Sequence, residues 1–210
     1  MAAKFMQMAL TPAVQAAQDR YFGRHHALPG APERDALTED EAAFIGARDS
    51  FYLATTNADG WPYIQHRGGP TGFLKVLGPN LLGFADLKGN RQLLSTGNVD
   101  GDDRVALFLM DYPHRERLKI LGHARVLDAR EHPELVDQLS PAPGLRDRIE
   151  RFFLIDIVSY DWNCPQYITP RYTEAEIAEM VAPLKARIAE LEKSAGAAEA
   201  FPGRVADRER

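Results

Sequence analysis

Between Ser50 and Trp162 the apolar residues come in short runs, several of them alternating with polar ones, and the runs are separated by turn signals. A side-chain period of two belongs to strands, and short runs joined by tight turns pair as antiparallel neighbours. "FYLATTN" is rich in aromatic and β-branched residues. "NADGWP" supplies an Asp-Gly turn, and "YIQHR" returns as a second strand. "GFLKVLGPNLLGFAD" reads as two strands around Gly78-Pro79-Asn80. "RVALFLMDY" is almost continuously apolar, which predicts a strand buried on both faces. "RLKILGHARVLD" is a long strand with Gly122 at a bend or bulge, and "RFFLIDIVSYDW" is another. The pattern predicts a mainly β fold of six or seven antiparallel strands. It lacks the strand–helix alternation of a doubly wound fold. Closure towards a barrel would remove exposed edges.

Helical periodicity lies before and after this block. "LTPAVQAAQDRYFGRHH" is a predicted helix with Thr11 as N-cap and Pro12 at the first helical position. "LTEDEAAFIGARD" is a second, with Thr38 and Glu41 at capping-box spacing. "REHPELVDQLS" and "GLRDRIERF" are helix-like pieces inside the β block. Thr173 and Glu176 repeat the capping-box spacing. Beyond them Ile177, Val181, Leu184, Ile188 and Leu191 form one apolar stripe that needs a partner surface. Pro183 is expected to kink or split that helix, and the tail after Gly196 to be loosely held. Three segments result: a helical one over 1–49, a β domain over 50–172, and a C-terminal helix and tail over 173–210.

A net charge of −5 argues against a nucleic-acid partner, which needs a basic face. The single cysteine, Cys164, cannot form an intrachain disulfide and has no metal-ligand neighbours at short spacing. No apolar stretch approaches the roughly 18 residues of a membrane span. The N-terminus lacks a signal-peptide core and cleavage site, so the expectation is a cytoplasmic protein. No Ser-His-Asp order, nucleophile elbow or H-E-x-x-H motif is present.

Four stretches concentrate donors. "HRGGPTG" carries His66 and Arg67, then glycines from Gly68 on that either form a wide turn or let a ligand approach the main chain. "KGNR", with Lys88, Asn90 and Arg91, stands between a strand and a short helix. It is a solvated cap or, with the helix N-terminus, an anion site. "RERLKI" places Arg115, Arg117 and Lys119 on one strand face, either solvated or facing a ligand. "DWNCPQYITPRY" combines aromatics and amides with two prolines, as a packed loop or as walls for a flat ring.

In this order the stretches resemble the pyridoxamine 5′-phosphate oxidase-like family of FMN-binding split barrels, and within it an uncharacterised flavin-nucleotide-binding branch. "GWPYIQHRGG…FLKVL", "LLGFADLKGNRQL", "DDRVALFLMDY" and "ERLKILGHARVL" carry the resemblance. It implies a split β-barrel that binds FMN as a homodimer, with the flavin at the subunit interface. It implies that Asn90 and Arg91 take the positions of the phosphate-binding pair, with Lys88 close by. Arg67 falls on the other phosphate- or ribityl-contacting strand, and Arg117 on a polar flavin contact. Ser95 and Asn98 would support the site from the short helix. Trp162 and Arg171 match the C-terminal pair that reaches FMN from the second subunit, one residue short in spacing. Lys75 matches a strand-end lysine that contacts substrate phosphate. The family's Arg-Pro and Ser pattern for the vitamin B6 phosphate has no counterpart in "LSPAPGLRDRIERF". The implied function is an FMN-dependent oxidoreductase of a different small-molecule substrate. The alternative is a non-catalytic carrier of flavin, or of haem or a deazaflavin.

Overall fold

The computed structural model describes residues 2–28, 30–162 and 165–199. Cys164 and the tail from residue 200 lie outside them. Helices α1 (Ala3–Ala9) and α2 (Pro12–Phe22) come first, and α1 is an element the sequence reading did not anticipate. Thr11 caps α2 as expected, its hydroxyl accepting from the Val14 N–H. Helix α3 (Glu39–Gly46) opens on the Thr38/Glu41 capping box.

The β block follows: β1 (Ser50–Thr56), β2 (Pro62–Gly68), β3 (Lys75–Gly78), β4 (Leu81–Leu87), helix α4 (Leu94–Gly101), β5 (Arg104–Asp111) and β6 (Glu116–Asp128). Then come α5 (Glu134–Leu139), a single 3-10 stretch (Pro143–Arg148), β7 (Ile149–Trp162) and α6 (Glu174–Glu199). The β1–β2 turn forms because Gly60 takes φ +83° and the Asn57 carboxamide oxygen accepts from the Asp59 and Trp61 N–H groups.

All seven strands form one antiparallel sheet in the order β2-β1-β5-β6-β7-β4-β3. The sheet curls round a core that includes Phe51, Leu53, Leu107, Leu118, Phe84 and Phe153 but does not close, so β2 and β3 remain edges. Gly122 sits where the β6–β7 register shifts, and a Cβ there would come within 2.6 Å of the Asp156 carbonyl oxygen. Only glycine lets the two backbones approach so closely at this bend.

Two expectations are corrected. β5 is not buried on both faces: Val105, Leu107 and Leu109 point into the core, while Phe108 and Met110 are half-buried on the outer face. The strand buried on both sides is β7, where successive Phe152 and Phe153 are both enclosed. The reason is coverage, since α5 packs on β4 and β7 and builds a second apolar cluster there. "GLRDRIERF" is helical only as far as Arg148, as a single 3-10 stretch, and from Ile149 it is already strand β7.

The chain divides into one unit through Thr169 and a second from Pro170 onward. In the first, α1 packs on β7 and α3 on β3. In the second, α6 starts at the Thr173/Glu176 capping box and continues unbroken past Pro183. Among the described residues no helix is long and apolar enough to cross a membrane.

Candidate functional site

The open seam of the sheet carries the candidate site. Alternation along β2 turns Ile64 and His66 outward, and leaves Tyr63, Gln65 and Arg67 on the more buried face. Arg67 reaches across the seam to Asp86 on β4, Nη1 to Oδ1 2.6 Å. Its guanidinium also lies 5.1 Å from the Phe153 ring centroid and 5.6 Å from that of Phe84. Asp86 is a ladder partner of Arg151 on β7 and accepts from it at 2.9 Å. Arg151 also meets Glu150 at 3.1 Å, and Glu150 meets Arg91 at 3.4 Å. Three arginines against two carboxylates leave one formal positive charge in a continuous chain.

Above this chain stands the N-terminus of α4. Its first turn has no side-chain cap, because the preceding residue is Leu93. Both Arg91 (φ 59°) and Leu93 (φ 57°) occupy the left-handed region without being glycine. Such conformations cost of order 1–3 kcal/mol each and cluster at ligand clamps and active sites. Asn90 holds the loop by accepting from the Gln92 N–H at 3.1 Å. Ser95 donates to the Gln65 carboxamide oxygen at 2.7 Å, and Asn98 donates to the Thr55 hydroxyl at 2.9 Å. These two side chains fasten α4 to β2 and β1, which fixes where its N-terminus points.

Between the seam and α4 lies a cleft of about 240 Å³ lined by residues that include Gln65, Arg67, Asn90, Arg91, Ser95 and Arg151. Three features of the cleft bear on a phosphate-bearing ligand. Arg67 Nε is buried without a hydrogen-bond partner, the Arg91 guanidinium is largely exposed, and the α4 N-terminus lacks a side-chain cap. Unused donors, one net positive charge and a helix N-terminus suit an anion such as a phosphate group. Among the described residues no cluster of His, Cys, Asp and Glu is placed to hold a metal ion.

The other candidates fall elsewhere. Gly68 lines a neighbouring cleft that shares Arg67 and Asp86. Lys88 is exposed beside the loop, with its N–H donating to the Arg148 carbonyl. Lys75 begins edge strand β3, half-buried and paired with Gly83. Arg117 lies on the outer face of β6, over the Phe108 ring, and its Nε is also buried without a partner. Within one chain it therefore faces away from Arg67. Trp162 donates its indole N–H to Glu41 at 2.6 Å and packs edge-on against Phe44, which makes it a plug of the core of its own chain. Arg171 belongs to the second unit.

Sequence reasoning missed Tyr63, Gln65, Asp86, Glu150 and Arg151. The period-two spacing of Tyr63, Gln65 and Arg67 was an available signal. Asp86 and Arg151 had none, because only the β4–β7 register makes them neighbours.

The open, curled sheet with a charged cleft in its seam defines a split-barrel protein. The family profile of pyridoxamine 5′-phosphate oxidase matches residues 37–150, more than half of the chain, and the chain belongs to that family. No curated protein matches it in sequence. Among solved structures, HupZ of Group A Streptococcus is similar at 11% identity and TM-score 0.49, covering 65% of this chain and 99% of the other. An FMN-binding protein from Syntrophomonas wolfei is similar at 10% identity and TM-score 0.45, covering 60% and 85%. General stress protein 26 from Bacillus anthracis gives 12% identity and TM-score 0.45, covering 59% and 91%.

Proposed function

We propose that this protein is a cytoplasmic FMN-binding oxidoreductase whose substrate is not pyridoxamine 5′-phosphate. One observation carries the reading: Arg67, Arg91 and Arg151 converge with the uncapped start of α4 on a single cleft in the sheet seam. Arg91 and the first-turn N–H groups of α4 would hold the phosphate, with Asn90 and Lys88 shaping and charging the rim. Arg67 and Arg151 supply positive potential from behind, held in place by Asp86. Ser95 and Asn98 keep α4 in position, and Gly68 leaves room at the adjoining end of the groove. FMN, when bound, supplies the one- or two-electron chemistry. The chain's part is to bind, orient and exclude water.

The reading includes a homodimer with the flavin shared between subunits. The cleft is smaller than the roughly 300–1,000 Å³ of complete small-molecule pockets, so one chain offers part of a site. The outer face of β1 and β2, with the turn between them, exposes Tyr52, Ile64 and Trp61, a surface suited to a second subunit. Arg117, on that same side of the sheet, would then serve the partner's flavin, with Arg171 as a further contributor. Trp162 is the weaker candidate, because its indole is already engaged by Glu41.

The test is the visible spectrum of the purified protein, followed by calorimetric titration with FMN and riboflavin. A bound flavin spectrum and clear preference for FMN are expected. A haem or deazaflavin spectrum, or equal affinity for FMN and riboflavin, would reject the assignment.

A further inference from the structure

The second unit carries a feature the flavin reading does not use. Helix α6 exposes Ile177 (49%), Leu184 (62%), Ile188 (55%) and Leu191 (51%), with Val181 half-buried among them. Their spacing is four, three, four, three. That spacing is the a/d seam of a heptad repeat, and the exposed Met180 flanks it at position g. With Val181 and Ile188 at position a, positions d are Ile177, Leu184 and Leu191. β-Branched residues at a with leucine at d favour two parallel strands.

The flanking charges agree. Arg187 falls at position g and Glu192 at position e of the next heptad. In a parallel, in-register pair the g residue of one helix meets that e residue of the other, so Arg187 would face Glu192 of a second copy. In the single chain Arg187 instead pairs with Glu190 at 2.9 Å, both two-thirds exposed, an interaction weak enough to be exchanged. Pro183 falls at position c, on the outside of such a pair, where its ring does not obstruct the seam.

We propose that α6 forms a parallel two-stranded coiled coil with α6 of a second copy of this chain. The occupant of the stripe is the same stripe, and the Arg187–Glu192 pairing sets the register. Such a coiled coil involves α6 alone and forms whether or not the barrel binds a flavin.

The test uses the full chain with Cys164→Ser, so that one new thiol is the only one. Leu191→Cys, at d, places the two thiols across the seam, whereas Lys193→Cys, at f, points them apart. Mild oxidation and non-reducing electrophoresis should give a covalent dimer with Leu191→Cys and at least about tenfold less with Lys193→Cys. Adding Arg187→Glu should lower the Leu191→Cys yield, and Glu192→Lys on top of it should restore it. No dimer with Leu191→Cys, equal cross-linking at both positions, or a yield indifferent to the charge reversal would overturn the proposal.

Discussion

Arg67 on β2 and Asp86 on β4 meet at 2.6 Å across a seam that no backbone ladder closes. The pair clasps the two sides of the open sheet, and Arg151 shares the same carboxylate. All three side chains are largely buried, so their charges depend on one another.

Removing Asp86 alone is therefore expected to be costly. Asp86→Ala leaves two largely buried arginines without their shared acceptor and should destabilise the fold by about 3–5 kcal/mol in urea denaturation. Replacing the pair together, Arg67→Met with Asp86→Leu, should cost far less stability yet weaken flavin binding. If the double variant is as unstable as Asp86→Ala, the ion pair is not the source of the effect.

Arg91 should show the opposite profile. Its side chain is 64% exposed and its ion pair with Glu150 is long, at 3.4 Å, so Arg91→Ala should change stability by no more than about 0.5 kcal/mol. FMN affinity should nevertheless fall tenfold or more, about 1.4 kcal/mol, with riboflavin affinity unchanged. Calorimetry with both ligands separates the two effects.

Acid stability should depend on Glu41. Burial pushes its carboxyl up, but hydrogen bonds from Thr38 and Trp162 outweigh that and hold it below its ordinary value of 4.5. The folded state thus binds fewer protons than the unfolded one in that range, so stability rises with pH there. The contribution is complete above the unfolded value and is lost as pH falls through the lower folded one. Glu41→Gln should flatten the loss of stability below about pH 4.5, measured by thermal melts across pH. An unchanged acid limb would assign it to other groups, such as Asp111, which Arg48 and His114 also hold low.

A shared site predicts complementation. Under the proposed shared site, Arg91→Ala and Arg117→Ala should each bind FMN poorly, since the two side chains would serve one flavin from different subunits. Mixed dimers would regain one intact site in two, read as partial flavin absorbance after subunit exchange. No recovery between well-folded variants that do exchange would place both residues on the same chain's flavin, or Arg117 on none.

Pyridoxamine 5′-phosphate should not be turned over. The segment 139–152 includes a 3-10 stretch and the start of β7 and lacks the family's Arg-Pro and Ser pattern for that phosphate. Substrate phosphate binding also serves orientation, so its loss lowers rate as well as affinity. Oxygen consumption by the flavin-loaded protein decides it, and turnover above about 1 s⁻¹ would contradict the prediction.

Local chemistry determined much of this in advance. Thr11, Thr38 and Thr173 mark helix starts because a hydroxyl or capping-box partner acts within a single turn. The Asp59-Gly60 turn and the bend at Gly122 follow from backbone freedom at one residue. Basic residues at Arg67 and Arg91 pointed to the seam because strand alternation and a helix start are local rules. What the sequence alone did not decide is who faces whom. The β4–β7 register brings Arg151 to Asp86 across 65 residues of chain, and coverage by α5 makes β7, not β5, the doubly buried strand. The same long-range packing turns Trp162 inward onto Glu41, 121 residues away, and puts Arg117 on the opposite side of the sheet from Arg67. Such pairings depend on the closing geometry of the whole sheet, which no window of neighbouring residues contains.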